Sequence, residues 1–124
     1  MTNRYRLALI ALGLITALTG TAWLAAAAHA DDPGAEAVWK HYWMAVAAAN
    51  QCENRSFSGP QYDAMTHVIN AKVNYQIGAG PRTHLIDEAK SDVQDRVFKY
   101  TCHDQQIGDL LALYHYELAP SFGG

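Results

Sequence analysis

The sequence has little of what recognisable active sites are built from. Its 124 residues include two cysteines but no C-x-x-C pair and no cofactor-binding glycine loop. The histidines never fall at the H-x-x-x-H or E-x-x-H spacings that put two metal ligands on one helix face. We therefore predict a protein without catalytic activity and without a cofactor.

Basic residues are also few, which limits the classes of partner. The chain has 9 Lys and Arg against 12 Asp and Glu, and removal of the first 30 residues, with Arg4 and Arg6, leaves 7 against 12, a net charge of −5. A surface of this sign repels polyanions. We predict no nucleic-acid partner, and membrane contact only if the N-terminal segment is retained.

Long apolar runs are absent except at the N-terminus. Arg4 and Arg6 precede an apolar stretch over residues 7–28, and Ala28-His29-Ala30 places small residues at both positions that a signal peptidase reads. This predicts a secretory signal peptide over 1–30 and one helical domain over 31–124, located in the bacterial periplasm or secreted. The alternative is an uncleaved anchor, since the stretch nearly spans a bilayer.

The two cysteines are expected to form a disulfide after export. Cys52 and Cys102 enclose 49 residues, and closing such a loop is worth ~4 kcal/mol in the chain-entropy treatment. The run Cys102-His103-Asp104 also resembles a nucleophile beside a base. The side chains of neighbouring helical residues point about 100° apart, however, and a disulfide removes the thiolate. We therefore interpret the run as a disulfide-bonded cysteine, or staple, followed by a helix cap at Asp104.

Alternating strand patterns are lacking, and the apolar periodicity is helical. It predicts an all-α, up-and-down bundle of about four helices, with Ser58 and Asp104 as N-caps. The predicted segments are 33–52, then Ser58 to Ile77 ended by a Gly-Ala-Gly-Pro run, a third from about 81–83 to Cys102, and a fourth from Asp104 to Leu118. In this order Cys52 and Cys102 lie at the same pole of the bundle.

Two tryptophans in the first segment form the candidate partner-binding face. Trp39 and Trp43 lie one turn apart, beside the main apolar stripe of that helix. They are either a second core face of the bundle or an exposed patch for an envelope protein or a small apolar ligand.

The histidines raise the possibility of a copper carrier. His41-x-x-Met44 pairs an imidazole with a thioether, and His84 stands three and four residues before Asp87 and Glu88. Both patterns are also common on ordinary helix faces, where Met fills core gaps and charged residues are solvated.

The exported, small, four-helix plan with one long-range disulfide is similar to that of the periplasmic acid-stress chaperones of the HdeA type. The resemblance rests on size, export and the spacing of Cys52 and Cys102, and no functional residue is carried over. It implies a pH-responsive chaperone, in which acids and histidines protonate on acidification. The sequence thus predicts a small exported binding or structural protein, with this chaperone and the copper carrier as alternatives.

Overall fold

Helices account for all the regular structure of residues 33–123, which are the residues that the computed structural model describes. The elements are α1 (Pro33–Cys52), α2 (Gly59–Lys72), α3 (Ala79–Tyr100), α4 (Gln105–Leu113), a π-helical turn (Tyr114–Leu118) and a 3₁₀ turn (Ala119–Phe122). No strand occurs within this range, which confirms the all-α prediction. The predicted signal peptide lies outside the described residues.

Helix α1 is the central element. It contacts α2, α3, α4 and the π-helical turn. Alanine favours the helical backbone and its small side chain lets neighbouring helices approach closely. The buried residues of α1 are Ala35, Trp39, Tyr42, Trp43, Ala45, Val46, Ala47, Ala48 and Ala49.

Helices α1 and α3 run parallel. Near both N-terminal ends, Trp39 Nε1 donates a hydrogen bond to the Arg82 carbonyl at 3.2 Å. At the opposite pole Cys52 and Cys102 form a disulfide with a Cα–Cα distance of 5.7 Å. The predicted bond is confirmed, as is the prediction that it joins the ends of the first and third helices.

Helix α2 runs antiparallel to α1. Tyr62, in the first turn of α2, shares a groove with Gln51 near the end of α1. Thr66, one turn later, shares a groove with Trp39 near the beginning of α1. The up-and-down order therefore holds from α1 to α3.

The last segment departs from that order. In the π-helical turn, His115 Nε2 lies 2.7 Å from Glu53 Oε1, just beyond the C-terminal end of α1. Glu117, two residues later, accepts a hydrogen bond from Tyr42 in the middle of α1. His115 and Glu117 are two residues apart, yet one contacts the end of α1 and the other its middle. The π-helical turn therefore lies across α1 and not along it.

Two predicted helix starts are confirmed by their caps. Ser58 Oγ accepts from Gln61 N at 3.4 Å while Gln61 Oε1 accepts from Ser58 N at 2.9 Å, which is a capping box. Asp104 accepts from the backbone N–H groups of Gln106 and Ile107.

The boundary between the second and third helices differs from the prediction. Helix α2 ends at Lys72 instead of Ile77, and Asn74 and Tyr75 turn the chain at φ of 52° and 57°. Gly78 is the N-cap of α3, and Pro81 lies in its first turn. Proline is tolerated there because the first-turn N–H groups have no acceptor within the helix, so the Gly-Ala-Gly-Pro run begins a helix instead of ending one.

Among residues 33–123, no helix combines the length and the apolar character needed to cross a bilayer.

Replacing both cysteines tests the covalent link. The variant Cys52→Ala/Cys102→Ala should lower the free energy of unfolding by about 4 kcal/mol, because the unfolded chain regains the entropy of an open loop. Urea denaturation of the variant and of oxidised wild type measures the difference. Wild type reduced with dithiothreitol is the matched control and should lose a similar amount. A loss below about 1 kcal/mol in both would contradict a stabilising role.

Candidate functional site

Of the two interpretations of the Trp39 and Trp43 face, a second core face or an exposed patch, the burial of both side chains agrees with the first. Trp39 is 1% exposed and Trp43 is 5% exposed, so both belong to the core. Their ring centroids are 5.9 Å apart, and Trp43 stacks on Tyr62 of α2 at 6.3 Å. Trp39 and Trp43 therefore form a second core face of α1, because α2 and α3 pack on either side of these two tryptophans.

The buried tryptophans nevertheless line a groove between α2 and α3, which we call the α2/α3 groove. Its first part has a volume of about 280 Å³ and is lined by Trp43, Val46, Ala47, Asn50, Gln51, Tyr62, Ile86 and Lys90. Its second part has a volume of about 260 Å³ and is lined by Trp39, Trp43, Thr66, Ala79, Arg82, Thr83 and Ile86. The two parts meet at Trp43 and Ile86, which belong to both linings.

The charges on this groove are all of one sign. Lys90 and Arg82 line it, and no carboxylate does. Within residues 33–123 neither side chain has an ion-pair partner, although the chain carries more acids than bases. The groove thus has both apolar and polar surface, and its two cations have no ion-pair partner among the described residues.

Four other Lys and Arg side chains of the described region are paired with carboxylates, whereas Lys99 lies over the Tyr100 ring. Lys40 Nζ lies 3.3 Å from Glu88 and 2.8 Å from Asp92. Arg96 Nε lies 2.6 Å from Asp104, which lowers the pKa of that carboxyl. Lys90 and Arg82 therefore differ from these paired residues.

The positions of the histidines bear on the copper hypothesis. His41 and Met44 line a separate groove of about 220 Å³ with Gln106, Asp109 and Leu110. Across residues 33–123, no three His, Cys, Asp or Glu side chains are grouped so as to hold a metal ion.

The second candidate metal motif is an ion pair in this structure. His84 Nε2 lies 2.9 Å from Glu88 Oε1, and Glu88 also contacts Lys40.

Cys102 is unavailable as a nucleophile. Both cysteines of the described chain are in the disulfide. Asp104 caps α4 and binds Arg96. The interpretation of Cys102-His103-Asp104 as a staple followed by a cap is confirmed.

A polar cluster that sequence reasoning missed attaches the π-helical turn to the bundle. The Tyr42 hydroxyl donates to Glu117, and Lys72 Nζ lies 3.0 Å from the same carboxylate. Tyr42 and Lys72 together lower the pKa of Glu117, while burial and the nearby carboxylate raise the pKa of Tyr42. These residues lie up to 75 positions apart in sequence, and no local pattern connects them.

Comparison of the chain with known protein families, with curated proteins and with solved structures finds no match. Its function is therefore inferred from its own geometry.

The cluster of Tyr42, Lys72 and Glu117, which we call the Glu117 cluster, should make the free energy of unfolding depend on pH. A carboxyl whose pKa is lowered on folding stabilises the protein above its unfolded pKa of about 4.3, and this contribution is lost as the pH falls through the folded pKa. Glu117→Gln should lower the free energy of unfolding at pH 7 and flatten its decline below pH ~5. Urea titrations across this range measure both effects. Glu36→Gln, at a carboxylate without such partners, is the control, and an unchanged profile in Glu117→Gln would contradict the assignment.

The two tryptophans should differ in their effect on stability. Trp39 Nε1 donates to the Arg82 carbonyl, whereas Trp43 Nε1 is buried with no acceptor among the described residues. Replacement by Phe removes the same volume at each position, but only Trp39→Phe breaks a hydrogen bond. We expect Trp39→Phe to lower the free energy of unfolding by about 1 kcal/mol more than Trp43→Phe in urea denaturation. An equal or larger loss in Trp43→Phe would contradict this.

Proposed function

We propose that this chain is a small exported protein of the bacterial cell envelope that binds an apolar ligand in the α2/α3 groove and performs no catalysis. The observation that carries the proposal is the groove itself. Tyr62 and Ile86 line it over the buried ring of Trp43, and Tyr62 is 37% exposed and Ile86 half-buried, so apolar surface reaches solvent between α2 and α3.

The dimensions of the groove support a small ligand. Ligand sites usually have volumes of about 300–1,000 Å³, with apolar linings and a few polar groups that orient the ligand. Each part of the α2/α3 groove is slightly below that range, at about 280 and 260 Å³, and the two share Trp43 and Ile86 in their linings. Covering this apolar surface would gain about 25 cal/mol for each Å² removed from water.

Export is supported by two independent features. A disulfide joins Cys52 to Cys102, and such bonds persist in oxidising compartments. The N-terminal sequence has the charge, apolar run and small residues of a secretory signal. A ligand-binding protein of the envelope agrees with both.

The pH-responsive chaperone is the second candidate, because of the Glu117 cluster. Protonation of Glu117 would weaken its interactions with Tyr42 and Lys72, which hold the π-helical turn on α1. The turn carries Tyr114 and Leu118, both fully buried, so its release would expose apolar surface while the disulfide still joins α1 to α3. We favour the binding protein because its groove is open in the folded state. The copper carrier has only the pair His41 and Met44 in its favour.

Binding of a neutral apolar probe tests the proposed function. Wild-type protein lacking residues 1–30 should bind N-phenyl-1-naphthylamine, which raises probe emission and quenches Trp39 and Trp43, the tryptophans of that chain. Ala47→Leu places a larger side chain in the groove lining and should weaken binding about ten-fold, equivalent to 1.4 kcal/mol.

The matched control is Ala37→Leu, at an exposed position on the same helix, which should bind the probe like wild type. Circular dichroism and denaturation midpoints establish that both variants are folded. Absence of probe binding to wild type, or equal affinity of the two variants, would reject the groove as the binding site.

A further inference from the structure

We infer that the ligand of the α2/α3 groove is a single-chain aliphatic carboxylate whose acid group lies at Lys90. The inference rests on the proposed function and adds to it the chemical class and the orientation of the ligand.

The shape of the groove suits a linear aliphatic chain. The linings of its two parts follow one another along α1 from Gln51 to Trp39 and share Trp43 and Ile86. Lys90 and Arg82 are eight residues apart on α3, a rise of roughly 12 Å at 1.5 Å per residue. Because the two parts follow one another along the helix axis, an extended chain fits them better than a compact ring system.

The polar groups at one end of the groove suit a carboxylate. Lys90, Gln51 and Tyr62 all line the first part of the groove, where they supply an ammonium, an amide and a hydroxyl group. None of these three side-chain groups has a hydrogen-bond or ion-pair partner within the described residues. A carboxylate accepts hydrogen bonds from all three types of donor, and its bonds to charged donors are the stronger ones.

Because the protein as a whole is negatively charged, tighter binding of an anionic ligand can be assigned to the cations of the groove. The chain without its first 30 residues carries a net charge of −5, so its overall field repels anions and attracts cations. No carboxylate lines the groove to add to that repulsion. Tighter binding of an anionic than of a neutral or cationic ligand would therefore report the local effect of the groove cations.

Three twelve-carbon probes with different head groups test the inference: laurate, dodecanol and dodecyltrimethylammonium, each as a monomer in solution. Tryptophan fluorescence gives the affinities. Wild type should bind laurate about three-fold more tightly than dodecanol, the factor expected of a partly exposed ion pair, and the preference should shrink in high salt. Lys90→Gln should remove the preference by weakening laurate binding about three-fold, while Lys90→Arg should retain it.

Two further variants act as controls. Lys99→Gln removes a positive charge from the same helix outside the groove and should keep the laurate preference. Arg82→Gln removes the other groove cation and should also keep it. If the preference is lost in Arg82→Gln and kept in Lys90→Gln, the assignment of the acid group to Lys90 is wrong.

The remaining outcomes separate this inference from the proposed function. Equal affinity for laurate and dodecanol, or tighter binding of the cationic probe, would overturn the carboxylate assignment and leave the apolar groove standing. Binding of phosphatidylglycerol vesicles without binding of monomeric laurate would also overturn it. Failure of all three probes and of N-phenyl-1-naphthylamine would overturn the proposed function itself.

Discussion

The parallel pairing of α1 with α3 is the constraint on which the rest of the molecule depends. Three sets of contacts join the two helices. The Trp39 to Arg82 hydrogen bond lies near their N-terminal ends, and the disulfide lies at their C-terminal ends. Lys40 of α1 contacts Glu88 and Asp92 of α3. An exposed ion pair contributes little by itself, typically below about 1 kcal/mol. The disulfide and the burial of Trp39, Ala89 and Val93 therefore hold the pair more strongly than the ion pairs do.

This pairing accounts for the α2/α3 groove. Because α1 is apolar around most of its circumference, α2 and α3 both pack on it, at different faces. The side chains of Trp39 and Trp43 fill the space between them and are almost completely buried, yet they line the groove where the two helices separate. These two residues belong to the core, and Tyr62 and Ile86 supply the more exposed apolar lining of the groove.

Local signals in the sequence were informative where the physical cause is local. Ser58 and Asp104 start helices because their side chains satisfy N–H groups two or three residues away, and the sequence contains both partners. The end of α2 at Lys72 could not be predicted in this way. Val73 and Ile77 continue the apolar spacing and are buried, but they reach the core from a turn in which Asn74 and Tyr75 have positive φ. Apolar periodicity reports burial, and burial does not require a continuous helix.

By itself the sequence determined the helical class, the limits of α1, the two capped helix starts and the disulfide partners, because these follow from neighbouring residues or from the pairing of two cysteines. Only the tertiary structure decided that the tryptophans are buried, that Glu117 meets Tyr42 and Lys72, and that Lys90 and Arg82 stay unpaired beside a groove. These features depend on how distant segments pack against α1. Burial and ion pairing are properties of the spaces between helices, and a single helical pattern contains no information about its neighbours.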